Sequence, residues 1–393
     1  MGIASPQRPG ELCITDPSLI AAPGAPVAPK INLPIRDGRV ERIDQQPAAP
    51  EAEILDAGGR VVTAGFWNCH VHLTEPVWSR AASAEAPVLQ HHLDDMFSSR
   101  GFTGAMDLGS NPRTTAAVIS RIASGELNGP QLLTAGAGIY PPRGLPFYVQ
   151  IPWHLRPLMP QPRTPAAARR AVNRSQRRGA AVAKLSTGSY LAPDPEQVVP
   201  MPLPVARAAT EQAHRQGRPV FAHTSNREGL RGAVEAGVDV IAHVPDTPAG
   251  TEPLLREAAR RGMRMIPTLD MFFQTVGTHP EYRDPIFQAL AVFREAGGQL
   301  LFGTDVGYLP DRRTQGELTA LETSGVDATE ALAMLTTAPA ELAQAGTGTV
   351  EPAAAADLVV LDHRELTSPR QLADVFATVA AGKLIWTQDR AAA

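Results

Sequence analysis

The sequence has little cysteine, no excess of positive charge and no long apolar run, and each absence excludes a class of protein. The two cysteines, Cys13 and Cys69, cannot form a framework of several disulfides, so a reducing compartment is the simpler expectation. The formal net charge of −4 argues against a nucleic-acid or anionic-membrane partner. No apolar stretch reaches the roughly 20 residues that span a bilayer, and the start, MGIASPQRPG, lacks the features of a signal peptide. We therefore expect a cytoplasmic protein that acts on a small molecule, with a homo-oligomer left open.

The pattern of apolar residues changes near Phe66. Before this point, short apolar segments alternate with turns, and Asp37-Gly38 between two such segments predicts a β-hairpin. From Phe66 onward, apolar strands alternate with helices in eight successive units, which is the count of a TIM barrel. Strands that are apolar throughout suit a parallel sheet buried on both faces. The sequence therefore predicts an α/β fold with a barrel over residues 66–346.

The two chain ends predict a second, smaller unit. The tail segments TVEPAAAADLVVLDHRE and ATVAAGKLIWTQ return to the composition of strands. The simplest arrangement pairs them with the N-terminal strands. Residues 1–65 and 347–393 would then form one small sheet domain beside the barrel.

Two long loops rich in proline, 141–165 and 191–204, follow the third and fourth predicted strands of the barrel. Segments of this length without secondary structure are usually lids or binding walls, although a surface insertion is the alternative. Because both loops leave the carboxyl ends of strands, where barrel active sites lie, we expect them to line a site.

A His-Val-His sequence stands on the first predicted barrel strand. His70 and His72 lie two residues apart, so both side chains share one face of the strand. Cys69 is then a packing residue rather than a ligand. Two neutral imidazoles at this spacing can bind one metal ion. Such a pair also occurs by chance, so its context decides.

That context is a set of polar residues that each end an apolar strand. They are Lys184 in AAVAKLSTG, His223 in PVFAHTS, His243 in VDVIAHV and Asp305 in LLFGTDVG. Because the carboxyl ends of barrel strands meet at one mouth, these side chains should converge with the histidine pair. An ammonium group between apolar residues is costly unless it has a special role. The combined pattern predicts a metal site.

Taken in order, these motifs resemble the amidohydrolase superfamily over nearly the whole chain. The matching segments are DAGGRVVTAGFWNCHVHL, AKLSTG, FAHTS, IAHV, FGTDVG and TTAPAEL followed by GTVEPAAAADLVVLD. The chain looks most similar to the imidazolonepropionase-like and Xaa-Pro-dipeptidase-like branch. The resemblance implies a distorted TIM (β/α)8 barrel with an appended β-sandwich built from both chain ends.

The resemblance also implies a two-metal centre. The implied ligands are His70, His72 and Asp305 for the more buried ion and His223 and His243 for the second. Lys184 would bridge both ions as an N-carboxylated lysine, which turns an ammonium into an anionic oxygen ligand and requires an unprotonated amine. The usual metal in such sites is zinc; the ligand types fit zinc and leave manganese, cobalt and iron open.

The expected reaction is hydrolysis of a C–N bond in an amide, dipeptide or cyclic amide by a metal-activated hydroxide. Asp305 would act as proton shuttle, and His243 or a loop tyrosine would stabilise the oxyanion. The candidate substrate residues are Tyr140, Tyr190, Arg227 and Tyr308. Arginines near strand ends, Arg143, Arg227, Arg312 and Arg313, favour a substrate with a carboxylate.

Three alternatives remain open at this point. The same metal site could serve a lactone or ester hydrolase, or a lyase, isomerase or cyclase with no hydrolytic outcome. A barrel kept as a non-catalytic scaffold is the third, and the complete ligand set argues against it. Deamination is disfavoured as well, because the acidic residue that deaminase-type members carry shortly after the strand-five histidine is displaced here to Glu228.

Overall fold

The computed structural model describes residues 11–149, 156–194 and 197–388. Residues 1–10, in which the sequence shows no signal-peptide pattern, and residues 150–155 of the first proline-rich loop lie outside the described residues. The strands are β1 (Leu12–Thr15), β2 (Ser18–Leu19), β3 (Asn32–Arg36), β4 (Arg39–Val40), β5 (Glu53–Asp56), β6 (Val61–Ala64), β7 (Phe66–Val71), β8 (Phe102–Asp107), β9 (Gln131–Thr134), β10 (Ala183–Ser186), β11 (Gly188–Tyr190), β12 (Val198–Pro200), β13 (Val220–His223), β14 (Val240–Ala242), β15 (Arg264–Ile266), β16 (Gln299–Leu300), β17 (Leu358–Leu361), β18 (Val375–Ala380) and β19 (Lys383–Thr387).

Helices separate most of the central strands. They are α1 (Ala86–Met96), α2 (Pro112–Ala123), α3 (Pro165–Gln176), α4 (Leu203–His214), α5 (Arg227–Ala236), α6 (Glu252–Arg260), α7 (Leu269–Val276), α8 (Pro280–Glu295), α9 (Gln315–Thr323), α10 (Ala328–Leu335) and α11 (Thr337–Ala343). Short 3-10 helices occupy Pro76–Arg80, Ser98–Arg100, Arg156–Leu158 and Pro369–Ala373. Within the described ranges, no helix has the length and apolar character needed to cross a membrane.

The two chain ends meet in one five-stranded sheet with the order β19-β18-β17-β6-β2. Leu358 of β17 lies opposite Ala64 of β6 in an antiparallel pair, which is the pairing of tail and N-terminal strands that the sequence predicts. A four-stranded sheet, β4-β3-β1-β5, contains the hairpin at Asp37-Gly38. Leu33 of this sheet and Val360 of the other share one apolar cluster, so the two sheets pack together.

The central strands form two parallel sheets, β7-β8-β9 and β10-β13-β14-β15-β16. Backbone hydrogen bonds connect them at both edges. Cys69 of β7 donates to Phe302, which follows β16, at 2.8 Å, and Ile139, which follows β9, donates to Lys184 of β10 at 2.9 Å. Parallel strands alternating with helices are the arrangement expected from the sequence.

Alternation along each central strand separates two apolar clusters. On β13, Phe221 packs with residues of the other central strands and with Ala338 of α11. Its neighbours Val220 and Ala222 belong instead to the larger cluster that includes the surrounding helices. Cys69 is buried among the interior residues, in keeping with its predicted packing role.

The structure differs from the sequence prediction in two segments near the strand ends. The loop predicted over 191–204 contains β12, which pairs antiparallel with β11. The predicted strand MRMIPTLD ends at Ile266, and a helix not foreseen from the sequence, α7, begins at Leu269. Thr268 between them has φ 49°, a left-handed conformation that breaks an extended strand.

Candidate metal centre

The polar residues predicted for the site lie within the central strands or in the segments that follow them. Lys184 lies within β10, His70 within β7 and His223 at the end of β13. His72, His243 and Asp305 follow β7, β14 and β16. His70, His243 and Asp305 are at most 5% exposed. The centre is therefore a polar cluster inside an otherwise apolar set of strands.

Asp305 is the residue on which the histidines converge. Its Oδ1 lies 3.0 Å from Nε2 of His72 and 3.5 Å from Nε2 of His70. Its Oδ2 lies 3.7 Å from Nε2 of His243. One potential ligand atom from each of His70, His243 and Asp305 falls within a mutual distance of 4.8 Å. These residues form a candidate metal-binding group, and imidazole nitrogen with carboxylate oxygen is a donor set that divalent metals accept.

The backbone around Asp305 is shaped to bring it there. Asp305 and His243 have φ 57° and 81°, which non-glycine residues adopt rarely and mostly where function over-determines them. Two glycines flank Asp305 in FGTDVG. A Cβ on Gly307 would lie 1.8 Å from the carbonyl oxygen of His72, and one on Gly303 would lie 2.8 Å from Cβ of His70. The motif therefore needs glycine at both places.

Two histidines have the nitrogen that faces away from Asp305 fixed by a hydrogen bond. Nδ1 of His72 lies 2.8 Å from the carbonyl oxygen of Gly109 and donates to it. Nδ1 of His243 lies 2.6 Å from the hydroxyl of Thr268. Because that hydroxyl donates its only proton to the carbonyl of Pro267, it accepts from His243. Both rings thus keep Nε2 available for a metal.

In His223 the engaged nitrogen is Nε2 rather than Nδ1. Its Nε2 lies 2.9 Å from Oγ of Ser225 and 3.2 Å from the hydroxyl oxygen of Tyr148. The Ser225 hydroxyl donates to the carbonyl of Gly188, so it accepts from Nε2 of His223. This arrangement leaves Nδ1 of His223 as the nitrogen with a free lone pair.

Glu317 of α9 supports the backbone around Thr268. The Glu317 carboxylate accepts the backbone N–H of Asp270 at 2.8 Å, at the start of α7, and Glu317 is only 1% exposed. Burial raises the pKa of Glu317 to about 8. A chain of contacts therefore runs from α9 through the start of α7 to His243. Sequence reasoning missed Thr268 and Glu317, because Thr268 fell inside the predicted strand MRMIPTLD and Glu317 lies on a helix.

Lys184 is a buried amine without a hydrogen-bond partner among the described residues. Burial lowers the pKa of Lys184 to about 7, against the opposing effect of the Asp305 carboxylate. A large fraction of this amine is therefore neutral near pH 7, which its buried surroundings favour.

The ionisation of the other residues also fits a metal. Burial lowers the pKa of His70 and His223 far below the usual range and that of His243 to about 3, so these rings are neutral. Burial would also lower the pKa of His72, but its hydrogen bond to Asp305 raises it. Burial alone would raise the pKa of Asp305, yet the imidazole of His70 and the other rings hold it below its ordinary value. Neutral imidazoles and an ionised carboxylate are the forms that bind metals.

Tyrosines surround this centre. Four of the five in the sequence, Tyr140, Tyr148, Tyr190 and Tyr308, follow or lie in segments near strand ends. The ring of Tyr148 stands 5.7 Å from that of Tyr308, and its hydroxyl reaches His223. Tyr148 lies in the first proline-rich loop, so this part of the loop contacts the site, as predicted for the loop as a whole.

Three of the four arginines predicted near strand ends have other partners. Arg312 forms ion pairs with Glu75 and Asp95, and Arg313 pairs with Asp311. Arg227, a candidate substrate residue, is exposed and donates to the carbonyl of Gly250. In the described part of the chain it makes no hydrogen bond or ion pair with the site histidines. These contacts give no support to recognition of a substrate carboxylate.

A family comparison and similar proteins agree with the resemblance seen in the sequence. The model of the amidohydrolase family matches residues 61–385. An uncharacterized protein of Mycobacterium tuberculosis (strain H37Rv) is 33% identical over 142 residues, which is 33% of this chain and 38% of that protein. A dihydroorotase of Aquifex aeolicus is 39% identical over 64 residues, 15% of each chain.

Solved structures are similar over almost the full length. A Xaa-Pro dipeptidase with bound methionine in its active site has a TM-score of 0.81 at 21% identity, covering 96% of this chain and 100% of that one. At this identity the similarity concerns the fold, which is TIM-barrel-like α/β. The curated relatives match over much shorter segments, 38% of the mycobacterial protein's length.

Proposed function

Because the chain belongs to the amidohydrolase family, we propose that it is a metal-dependent hydrolase that cleaves a C–N bond in an amide, dipeptide or cyclic amide. The observation that carries this proposal is the meeting of two buried imidazoles, of His70 and His243, and the partly buried imidazole of His72 with the carboxylate of Asp305, at distances of 3.0 to 3.7 Å. Barrel enzymes place their chemistry at this end of the strands.

The fold proposed for this function is a closed, distorted (β/α)8 barrel over residues 66–346. The hydrogen bonds that join β7 to the residues after β16 and β10 to Ile139 support closure. Residues 1–65 and 347–393 would form the appended β-sandwich, which the pairing of β17 with β6 supports. The barrel would then present all the polar strand ends on one side.

The proposed metal centre holds two ions, with zinc the favoured element. The proposed ligands are His70, His72 and Asp305 for one ion and His223 and His243 for the other, with Lys184 between them. The support is that His72 and His243 each have Nδ1 engaged by the protein outside the cluster and Nε2 directed at Asp305, while His223 has Nε2 engaged and Nδ1 left over. This is the outer support that metal-binding histidines usually have.

Lys184 is proposed to react with carbon dioxide. A bond forms between its neutral Nζ and the carbon of CO2 while one C=O π bond of CO2 breaks. The nitrogen releases one proton, which leaves a carbamate whose two oxygens share a single negative charge. Its missing hydrogen-bond partner and its pKa of about 7 support this modification. The carbamate would remove the cost of a buried amine without a partner.

When bound, the metal ions supply the Lewis acidity that deprotonates water near neutral pH and polarises the scissile carbonyl. A carboxylate oxygen of Asp305 takes the proton as the water attacks and returns it to the leaving nitrogen. The low pKa of Asp305 keeps it ionised in the metal-free protein. The hydroxyl of Tyr148, Tyr140, Tyr190 or Tyr308 would donate to the developing oxyanion. His243, also predicted for this role, has its Nδ1–H engaged by Thr268 and its Nε2 assigned to a metal, so it has no donor left for it.

Product analysis in oxygen-18 water tests this function. The zinc-loaded protein is given a panel of dipeptides, N-acyl amino acids, lactams and lactones. Hydrolysis of a C–N bond must place one solvent oxygen in the product, and Asp305→Asn should abolish it. Turnover of lactones alone would make the protein an ester-type hydrolase. A product without solvent oxygen would make it a lyase, isomerase or cyclase.

A further inference from the structure

Asp246 is a carboxylate beside the proposed centre that the mechanism above does not use. It follows β14 three residues after His243 in HVPDTP, at the same strand ends as the metal group. The side chain is partly buried, and its Oδ1 is buried with no hydrogen-bond partner among the described residues. The hydroxyl of Tyr190 hydrogen-bonds to the carboxylate. An ionised carboxylate can only accept hydrogen bonds, so a donor is missing at Oδ1.

The surroundings of Asp246 provide no positive charge. Across residues 11–149, 156–194 and 197–388 it forms no ion pair, and the groups that interact with it electrostatically include Asp305, Tyr148 and Tyr308. Burial, with a contribution from Asp305, raises the pKa of Asp246 to about 7. A buried carboxylate without a cationic partner is costly. The described surroundings of Asp246 therefore contain no positively charged hydrogen-bond donor for its carboxylate.

Tyr148 connects Asp246 with the reacting end of the site. Its hydroxyl lies 3.2 Å from Nε2 of His223, and its ring contacts that of Tyr308. The Asp246 carboxylate interacts electrostatically with the phenol and helps to raise its pKa. A group bound at Asp246 would therefore lie near the tyrosines that border the proposed metal ligands. Aromatic faces next to a carboxylate are a combination that favours cations.

We propose that Asp246, flanked by Tyr148 and Tyr190, binds a primary ammonium group of the substrate. The inference rests on the proposed function and narrows its substrates to amides that carry a positive charge near the scissile bond. The ammonium would donate to Oδ1 in a charge-assisted hydrogen bond and take the place of the missing partner. The aromatic rings would exclude water from the pair.

Matched substrates test this assignment. The ratio of kcat/KM is measured for lysyl against norleucyl dipeptides and for free against N-acetylated dipeptides, with the zinc-loaded protein. The ammonium should be preferred in at least one pair by about 10- to 100-fold, the range of a hydrogen bond to a charged group. Asp246→Asn should bring that ratio near one and leave turnover of the neutral substrate and the metal content unchanged. Asp374→Asn, an exposed carboxylate next to β18, is the control and should keep the preference.

Binding separates this inference from the proposed function. Calorimetry with n-butylammonium and n-butanol reports on Asp246 even if no C–N bond is cleaved. Tighter binding of the amine by the unmodified protein, lost in Asp246→Asn, supports the inference. Equal binding of the two ligands, a preference for neutral or anionic substrates, or an equal loss of activity and metal in Asp246→Asn would overturn it.

Discussion

The two ends of the same central strands have opposite characters. On β13, Phe221 belongs to the apolar interior, while His223, two residues later, faces Ser225 and Tyr148. On β14, Val240 and Ala242 are buried among apolar groups and His243 is the next residue. The start of each strand thus contributes hydrophobic burial, and its carboxyl end bears buried polar groups and the left-handed residues Asp305 and His243. The start of each strand therefore contributes mainly to the stability of the fold, and its carboxyl end supplies the residues for chemistry.

The largest effect is expected from changing the polar end. Asp305→Asn removes the proton acceptor and one ligand while keeping the size of the side chain. We expect kcat to fall by about 10²- to 10⁴-fold. The free energy of unfolding of the metal-free protein should fall modestly, because the fold favours the ionised form of Asp305. Steady-state kinetics and urea unfolding measure both. Asp239→Asn serves as control, because this carboxylate lies at the opposite end of the strands, beside His214; comparable losses in both variants would contradict the division.

The apolar end should respond in the opposite way. Phe221→Ala removes a fully buried ring and should lower the free energy of unfolding by about 3–5 kcal/mol. Metal content and kcat of the folded fraction should change little. Urea unfolding with elemental analysis of the purified protein checks this. A variant that keeps its stability but loses its metal would show that the two ends are not separate.

A smaller effect is expected from changing Thr268, which hydrogen-bonds to the proposed metal ligand His243. Thr268→Val keeps the shape of the side chain and removes the hydroxyl that accepts from His243. Metal affinity or activity should fall about 10- to 100-fold, as is usual for such supporting groups. Thr268→Ser should restore it. Thr210→Val is the matched control, since its buried hydroxyl in α4 lacks a partner within the described chain; an equal loss there would point to packing alone.

The smallest effect concerns the pH dependence of the metal-free protein. Burial lowers the pKa of His243 to about 3 and also lowers those of His70 and His223, so the unfolded chain binds more protons as pH falls below about 6.5. These three rings should therefore make stability decline from about pH 6.5 downward. His72, whose pKa is raised, and the carboxyls of Asp246 and Glu317, whose pKa values are raised to about 7 and about 8, oppose this in part. Thermal unfolding across pH 4 to 8 measures it. In His243→Asn the decline should be shallower; an identical slope would refute the assignment.

The sequence predicted the polar strand ends because position on a strand determines them. His70, His72, Lys184, His223, His243 and Asp305 each stand at the end of an apolar run, and the family model confirms the predicted family. Asp246 lies three residues after His243 in HVPDTP, beyond the end of the same apolar strand. Its position could therefore have identified it as a site residue. Tyr148, Thr268 and Glu317 could not be predicted in this way. Their contacts depend on the path of a proline-rich loop and on the left-handed turn before α7, which no periodicity of apolar residues encodes.

The central claim is that the strand ends bind metal and that the metal is required for hydrolysis. The most direct test is to remove metal with a chelator, dialyse, and titrate zinc in bicarbonate buffer while following cleavage of a C–N bond and zinc bound per chain. We predict that activity is lost on chelation and returns in proportion to zinc, saturating at two ions per chain. Full activity in the chelated protein, or no zinc bound by it, would contradict the account.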